Sequence, residues 1–151
     1  MEKRSSISGQ LAVITGAASG IGEAVVNRFV SEGARIALLD KNKYKGENFS
    51  NKLLSSGADV RFFECDVTQE GSVNHAFDSV LNSFGSIQIL INCAGGFFQN
   101  PPLESVELEH WEEILSLNLR SVYLCSKKAI VSMKKLNYGR IVNVSSQTAR
   151  E

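Results

Sequence analysis

The chain has 151 residues, with 16 lysines and arginines against 16 aspartates and glutamates, so its formal net charge is zero. This length suits one domain with a substantial core, and we expect residues 1–151 to form a single domain. A neutral balance gives no sign of a nucleic-acid partner or of an anionic membrane surface. Cys65, Cys93 and Cys125 lack the number and spacing of a disulfide framework or a metal site, so we expect no metal and a reducing cytoplasm. Glycines interrupt the apolar stretch that begins at Leu11, and we therefore expect neither a signal peptide nor a membrane span.

Five short runs of apolar, mostly branched residues recur along the chain, and segments with helical spacing separate them. The runs are Leu11–Ile14, Ile36–Leu39, Val60–Phe63, Ile87–Ile91 and Ile141–Val144. Continuous rather than alternating hydrophobicity is typical of strands that are covered on both faces in a parallel sheet. Gly33, Gly57, Gly85 and Gly139 lie where the intervening helices should end. The sequence therefore predicts an α/β fold, a doubly wound parallel sheet of five strands in the order 3-2-1-4-5.

A glycine-rich turn, Thr15-Gly16-Ala17-Ala18-Ser19-Gly20-Ile21-Gly22, follows the first predicted strand and opens a helix. Its glycines let the backbone turn sharply and let a pyrophosphate reach free N–H groups at the helix start, where the helix dipole is positive. We therefore predict a Rossmann-type fold that holds a dinucleotide, with contacts from Gly16, Ser19, Gly20, Ile21 and Gly22. The alternative is a tight strand-to-helix connection that binds no ligand.

Asp40 closes the second predicted strand, where a carboxylate can accept hydrogen bonds from the hydroxyls of an adenosine ribose. A carboxylate at this position repels a 2′-phosphate, which favours NAD over NADP as the cofactor. The basic neighbours Lys41 and Lys43 keep NADP open. The alternative for Asp40 is that it only begins a turn.

The glycine spacing TGxxxGxG, together with motifs after the later strands, resembles the pattern of the short-chain dehydrogenase/reductase family, and of its 3-oxoacyl carrier-protein reductase branch in particular. The resemblance implies that Asp66 and Val67 lie beside the adenine ring, although Asp66 also suits a helix N-cap. The segment Asn92-Cys93-Ala94-Gly95 is similar to the family's NNAG element, which implies that Asn92, Ala94 and Gly95 support the sheet and border the cofactor. Cys93 replaces the second asparagine, so the side-chain hydrogen bond of that asparagine is in doubt.

A long helix is predicted from about Glu107 to Leu136. Its inward face would carry Trp111, Leu115, Asn118, Val122, Cys125 and Ala129. A buried amide without partners costs on the order of 1 to 3 kcal/mol, so Asn118 is either paired or serves a ligand. The resemblance implies the second alternative, a place in a proton relay through water. It also implies that Ser146, after the fifth strand, holds the substrate oxygen, whereas by themselves two serines that end a strand are more often turn residues.

In the family, a tyrosine that transfers the proton and a lysine four residues later follow this serine. Residues 147–151 contain neither, so we expect a sheet that is incomplete on its C-terminal side and little turnover by this chain alone. The fourth and fifth strands should then be bare on one face. Tyr123 and Lys127 have the same spacing, but at about 100° per residue they point away from Asn118 and are not expected to be catalytic.

The resemblance predicts an NAD(P)-dependent oxidoreductase that transfers hydride between the nicotinamide and a small-molecule carbonyl or secondary alcohol. One alternative is a non-catalytic dinucleotide-binding or interaction module whose long helix pairs with a full-length homologue. The same helix is a candidate surface for homo-oligomers. A nucleotide-fold methyltransferase is a third class, although its glycine pattern differs and it gives no reason for Asn118 or Ser146.

Overall fold

A computed structural model of the protein describes residues 7–96 and 101–146, and within them five strands alternate with five α-helices. The strands are β1 (Leu11–Thr15), β2 (Arg35–Asp40), β3 (Val60–Glu64), β4 (Ile89–Asn92) and β5 (Arg140–Asn143). The helices are α1 (Gly20–Ser31), α2 (Lys43–Ser55), α3 (Glu70–Phe84), α4 (Leu108–Leu115) and α5 (Ser121–Leu136). A short 3-10 turn, Leu103–Ser105, precedes α4.

The five strands form one parallel sheet in the order β3-β2-β1-β4-β5, which confirms the predicted topology. Strand β1 lies at the centre, and all five of its residues are buried. The chain leaves β1 first toward β2 on one side and later reaches β4 on the other. The carboxyl ends of β1 and β4 therefore flank the point where the strand order reverses, which is where ligands bind in such sheets.

Each face of the sheet packs against its own helices, so the described residues form two hydrophobic cores. Ala12, Ile14, Ile36 and Leu38 point to the face covered by α1 and α2. The alternate strand residues point to the face covered by α3 and α5, where Phe77 is fully buried. The first two helices thus share one face and the later helices the other, as right-handed crossovers require.

Coverage of the last two strands differs from the prediction. Strand β4 is not bare, because Ile89 and Ile91 are 4% exposed and lie in the same core as α1. Strand β5 is more open: Val142, which lies beside Ile91 in the sheet, is 48% exposed. Helix α1 therefore covers the inner strand, and the described helices leave that face of β5 open.

Most of the helices end where glycine was expected. Gly33, Gly57 and Gly85 follow or cap α1, α2 and α3 with φ values of 78°, 87° and 89°, in the region that glycine adopts most easily. Helix α5 ends instead at Asn137, whose φ is 50°. Gly139 serves packing, because a Cβ on it would lie 2.4 Å from the Met133 side chain.

The predicted helix between Glu107 and Leu136 is helical throughout but not uniform. A π-helical turn, Ser116–Arg120, joins α4 to α5 and rotates the residues that follow it relative to a regular α-helix. The predicted inward face is therefore wrong in its first half, where Trp111 is 46% exposed and Asn118 is exposed. In its second half Cys125 and Ala129 are buried as predicted.

Candidate functional site

An open cavity of about 880 Å³ lies at the carboxyl edge of the sheet, beside the switch point between β1 and β4. It brings together most of the residues that the sequence predicted for cofactor binding. These residues are Gly16, Ser19, Gly20, Ile21, Gly22, Asp40, Asp66, Val67, Ala94 and Gly95. Three other predicted site residues, Asn92, Asn118 and Ser146, are not among the residues that line it.

The glycine-rich turn packs so closely that side chains are excluded at two of its glycines. A Cβ on Gly22 would lie 2.1 Å from the carbonyl oxygen of Gly16, and a Cβ on Gly16 would lie 2.8 Å from Cα of Ala94. At Gly20 the opposite holds, because a Cβ there would meet no atom within 4 Å. The turn is thus closely packed at Gly16 and Gly22 and open at Gly20, so a phosphate can approach the first N–H groups of α1.

Asp40 joins β2 to this turn. Its Oδ2 accepts a hydrogen bond from the Ala18 N–H at 3.0 Å, and its Oδ1 accepts one from the Asn42 N–H at 2.9 Å. One oxygen therefore organises the turn before α2, and the carboxylate also lines the cavity, while its contact with a ribose stays a prediction. Helix α2 takes its own N-cap from Asn42, whose side chain accepts from the Lys45 N–H.

Thr15 is a residue of this site that the sequence reasoning missed. Its hydroxyl oxygen accepts hydrogen bonds from the N–H groups of Cys93 and Ala94, at 3.1 and 3.0 Å. The side chain is buried, and it ties the end of β1 to the segment that leaves β4. The available signal was a hydroxyl that ends an otherwise apolar buried strand, because such a group needs partners.

The segment after β3 forms a second wall of the cavity. Asp66 does not cap α3, whose N-cap is Gln69; its Oδ1 instead accepts from the N–H and hydroxyl of Thr68, at 3.0 and 2.7 Å. Val67 is buried and also lines the cavity. A fixed carboxylate and an apolar side chain therefore lie side by side here.

Arg120, in the π-helical turn, holds this wall from the other side and was not anticipated. Its guanidinium donates to the Thr68 carbonyl oxygen at 3.0 Å and also to the Ser116 hydroxyl. It lines the cavity, as do three glutamates of α4, namely Glu109, Glu112 and Glu113. No spacing rule pointed to Arg120, because its contact with residue 68 exists only in the folded chain.

Asn92 is buried, does not line the cavity, and belongs to a polar cluster with Ser126 and Asn143. Its amide donates to Oδ1 of Asn143 at 2.8 Å and to the hydroxyl of Ser126 at 3.3 Å. This side chain therefore ties β4 to β5 and to α5. Support of the sheet by Asn92 agrees with the resemblance, and a direct contact with a cofactor stays a prediction.

Asn118 is exposed but paired, and its partners lie in the segment after β4 and in α4. Its Oδ1 accepts from the Gly96 N–H at 3.2 Å, and its Nδ2 donates to the carbonyl oxygens of Gly96 and Ile114, each at 3.1 Å. The amide thus holds the π-helical turn against the chain that leaves β4. Ser146 lies beyond β5 and is exposed, and its role in the chemistry stays a prediction.

Tyr123 and Lys127 lie outside the cavity, as predicted. Tyr123 is 60% exposed, and the Lys127 ammonium lies 3.5 Å from a carboxylate oxygen of Glu70 on the surface. That the YxxxK spacing of these two residues is not catalytic stays a prediction.

All three cysteines are free, and their surroundings make them poor nucleophiles. Burial raises the pKa of Cys65 to about 11, although a hydrogen bond with Ser72 lowers it. Burial raises the pKa of Cys125 to about 12, with a further contribution from Cys65, and burial also raises the pKa of Cys93. Thiols that stay protonated near neutral pH neither attack a substrate nor bind a metal readily.

Two further features of the described residues bear on the kind of site. Across residues 7–96 and 101–146, no three His, Cys, Asp or Glu side chains converge in a way that could hold a metal ion. Within the same ranges, no helix combines the length and the apolar character needed to cross a membrane.

Comparison with known proteins gives the class to which this fold and site belong. The family model described as short chain dehydrogenase matches residues 10–151, so the chain belongs to the short-chain dehydrogenase/reductase family. Members of this family are nicotinamide-dependent oxidoreductases that act on alcohols and carbonyls.

Individual relatives agree with this assignment. The chain is 38% identical over 143 residues to the D-threitol dehydrogenase of Mycolicibacterium smegmatis. The matched region covers 95% of this chain and 55% of that protein. The crystal structure of gox2181 matches with a TM-score of 0.92 at 27% identity, over 95% of this chain and 56% of the other. A metagenomic short-chain oxidoreductase in complex with NADP matches with a TM-score of 0.90 at 29% identity, over 97% of this chain and 66% of the other. The chain spans about half the length of the curated relatives it matches.

Proposed function

We propose that this chain binds a nicotinamide dinucleotide, and that it serves an oxidoreductase that moves hydride between this cofactor and a carbonyl or secondary alcohol. The observation that carries the proposal is the convergence of three features on one cavity. The open side of the glycine-rich turn, the carboxylate of Asp40 and the Asp66–Val67 pair all line it. This set matches the phosphate, sugar and base of a dinucleotide.

The residues around the turn fit such a ligand. The N–H groups at the start of α1, with Gly16, Ser19, Gly20, Ile21 and Gly22 around them, would hold the diphosphate. The open space at Gly20 supports this role, because it leaves room for phosphate oxygens.

Other residues would position the rest of the cofactor. The Asp40 carboxylate would accept from the ribose hydroxyls, and Asp66 with Val67 would border the adenine. Asn92, Ala94 and Gly95 would keep the chain after β4 close to the ligand, with Asn92 acting through β5 and α5.

The nicotinamide supplies or accepts the hydride when bound, and this chain's contribution to the chemistry is positional. We assign Ser146 to the substrate oxygen and Asn118 to the ordering of a proton relay, on the basis of the motifs in which they occur. No tyrosine is among the described residues that line the cavity. Since a phenol is the expected proton donor, this chain alone should bind the cofactor with little turnover.

For the choice of cofactor, we propose NAD with NADP as the competitor. The carboxylate of Asp40 disfavours a 2′-phosphate, whereas Lys41, which also lines the cavity, would attract one. The related structure that contains NADP describes that protein's cofactor. The two side chains act in opposite directions at neighbouring positions, so the preference should be modest.

Calorimetric titration of the purified protein with NADH, NADPH and S-adenosylmethionine tests the proposal. We expect heat with NADH, weaker binding of NADPH, and no heat with S-adenosylmethionine. A Gly22→Ala variant is the matched control, since its Cβ would collide with Gly16 and should abolish binding. Binding of S-adenosylmethionine alone would support a methyltransferase, and no heat with either dinucleotide would refute the proposal.

For assembly, we propose pairing through α4 and α5, either between copies of this chain or with a longer homologue. The observation behind it is a set of exposed apolar side chains on these helices and the turn between them: Leu108, Trp111, Leu119, Tyr123, Ile130 and Val131. Exposed apolar surface of this kind marks interaction sites. A Tyr123→Glu variant should shift the sedimentation mass toward the monomer, and an unchanged mass would refute this interface.

We also propose a reducing cytoplasm as the compartment, consistent with three free thiols.

A further inference from the structure

We propose that Asp40 is a positioning residue for the glycine-rich turn as well as a ribose ligand, because its carboxylate fixes the direction of the Ala18 N–H. This inference rests on the proposed function, since it concerns how the diphosphate site is kept in shape. It adds a second consequence of changing Asp40, namely that the phosphate site should loosen along with the ribose contact.

Two backbone N–H groups attach the turn to β2. On the side of β2, the Ala17 N–H donates to the carbonyl oxygen of Leu39 at 3.2 Å, and the Ala18 N–H donates to Asp40 Oδ2 at 3.0 Å. The first of these bonds is independent of the side chain at position 40. The second depends on it entirely.

The opposite side of the turn packs against the segment that follows β4. Gly16 lies against the backbone of Ala94, where a Cβ would have no room, and Thr15 binds the N–H groups of Cys93 and Ala94. This side of the turn is thus fixed to β4. Ala18, which directly precedes the cavity-lining residues Ser19 and Gly20, is held to β2 through Asp40.

The hydrogen bond between the Ala18 N–H and the Asp40 carboxylate should be strong. Ala18 is buried, and the bond to Asp40 is partly shielded from water. Hydrogen bonds to an ionised acceptor are roughly twice as strong as neutral ones. Asp40 is also held by the Asn42 N–H, so its carboxylate is oriented before any ligand binds.

Two substitutions separate this role from the effect of charge. Both Asp40→Asn and Asp40→Ala remove the charge that repels a 2′-phosphate. Only Asp40→Asn keeps an oxygen acceptor, which can serve the Ala18 N–H or the Asn42 N–H but not both. Asp59→Ala is the matched control, because Asp59 also lies next to a strand and binds Arg35, but outside the cavity.

Amide hydrogen exchange, followed by NMR on the ligand-free protein, is the first arm of the test. In Asp40→Ala we expect exchange at Ala18 to accelerate by about tenfold or more relative to exchange at Val13 in the sheet, which reports global stability. In Asp40→Asn, whose single amide oxygen can serve either the Ala18 or the Asn42 N–H, the ratio should rise less than in Asp40→Ala. In Asp59→Ala it should stay close to that of the unmodified protein.

Titration of the two Asp40 variants with NADPH is the second arm, and we expect Asp40→Asn to bind about tenfold more tightly than Asp40→Ala. An unchanged Ala18 exchange ratio in Asp40→Ala, or equal NADPH affinities of the two variants, overturns the inference. Failure of the unmodified protein to bind any dinucleotide would refute the proposed function instead, and the exchange arm would still decide whether Asp40 orders the turn.

Discussion

The hydroxyl of Thr15 shows how much of this site depends on one atom. It accepts from two backbone N–H groups of the segment after β4, and it is buried where water cannot replace it. A residue outside the predicted cofactor set therefore fixes the geometry between the two strands that flank the switch point.

Replacement of Thr15 by valine should destabilise the protein by about 1–3 kcal/mol, because two partly buried donors lose their acceptor while the shape of the side chain is kept. Urea unfolding measures the difference. Thr15→Ser retains the hydroxyl and should cost clearly less. A valine variant as stable as the serine variant would show that the two hydrogen bonds contribute nothing.

Gly22 and Gly71 give a second contrast at the level of single residues. Gly22→Ala should abolish dinucleotide binding and lower the free energy of unfolding by about 1–3 kcal/mol, since its Cβ would overlap the Gly16 carbonyl. Gly71 lies in the first turn of α3 with open space around it, and Gly71→Ala should stabilise the protein by about 0.4–1 kcal/mol. Calorimetric titration measures dinucleotide binding, and urea unfolding measures the free energy of unfolding. We expect that free energy to fall in Gly22→Ala and to rise in Gly71→Ala.

Among the elements, β5 depends most on specific polar contacts. It is a short edge strand with exposed Val142, so apolar packing alone holds it weakly. The amide of Asn92 compensates, because it binds Asn143 on β5 and Ser126 on α5 from a buried position. The register that brings residues 144–146 to the sheet edge therefore depends on this cluster.

Asn92→Ala should lower the free energy of unfolding by about 1–3 kcal/mol, because it removes both hydrogen bonds of a buried amide. Ser126→Ala removes only the longer bond and should cost less than about 1 kcal/mol. Denaturant unfolding of both variants checks the order. A Ser126 variant that is less stable than the Asn92 variant would contradict the proposed anchoring of β5.

For the whole molecule, the two buried thiols link stability to pH. Cys65 and Cys125 lie in the same core, between the sheet and the helices α3 and α5, with pKa values raised to about 11 and about 12 from the ordinary 9.0. Below pH 9 both thiols are protonated in the folded and unfolded states, and their contribution is intact. As pH rises from 9 toward 11 and 12, the unfolded chain releases these protons first, so stability is lost.

The unfolding free energy should therefore fall above pH 9, by at most about 1.4 kcal/mol per pH unit for each thiol. A Cys65→Ala/Cys125→Ala double variant should be less stable at pH 8 but show a shallower decline. Urea midpoints between pH 8 and 11 measure both slopes. Parallel slopes would show that other groups cause the alkaline loss.

The sequence by itself determined the order of the elements, the topology of the sheet and the position of the cavity. Continuous branched runs identify buried parallel strands, and right-handed crossovers leave few ways to connect them, so the strand order followed. The glycines at 16 and 22 were also readable, because the backbone approaches that they permit occur at a strand-to-helix turn that the motif itself defines.

Only the tertiary structure decided the contacts between distant segments. Thr15 with Ala94, Arg120 with Thr68, and Asn92 with Asn143 join residues that no local pattern connects. The π-helical turn also escaped prediction, since regular spacing assumes a constant rotation per residue and this turn changes it. Periodicity reports which face of an element is buried, whereas a hydrogen bond across the sheet depends on the final register and separation of two elements.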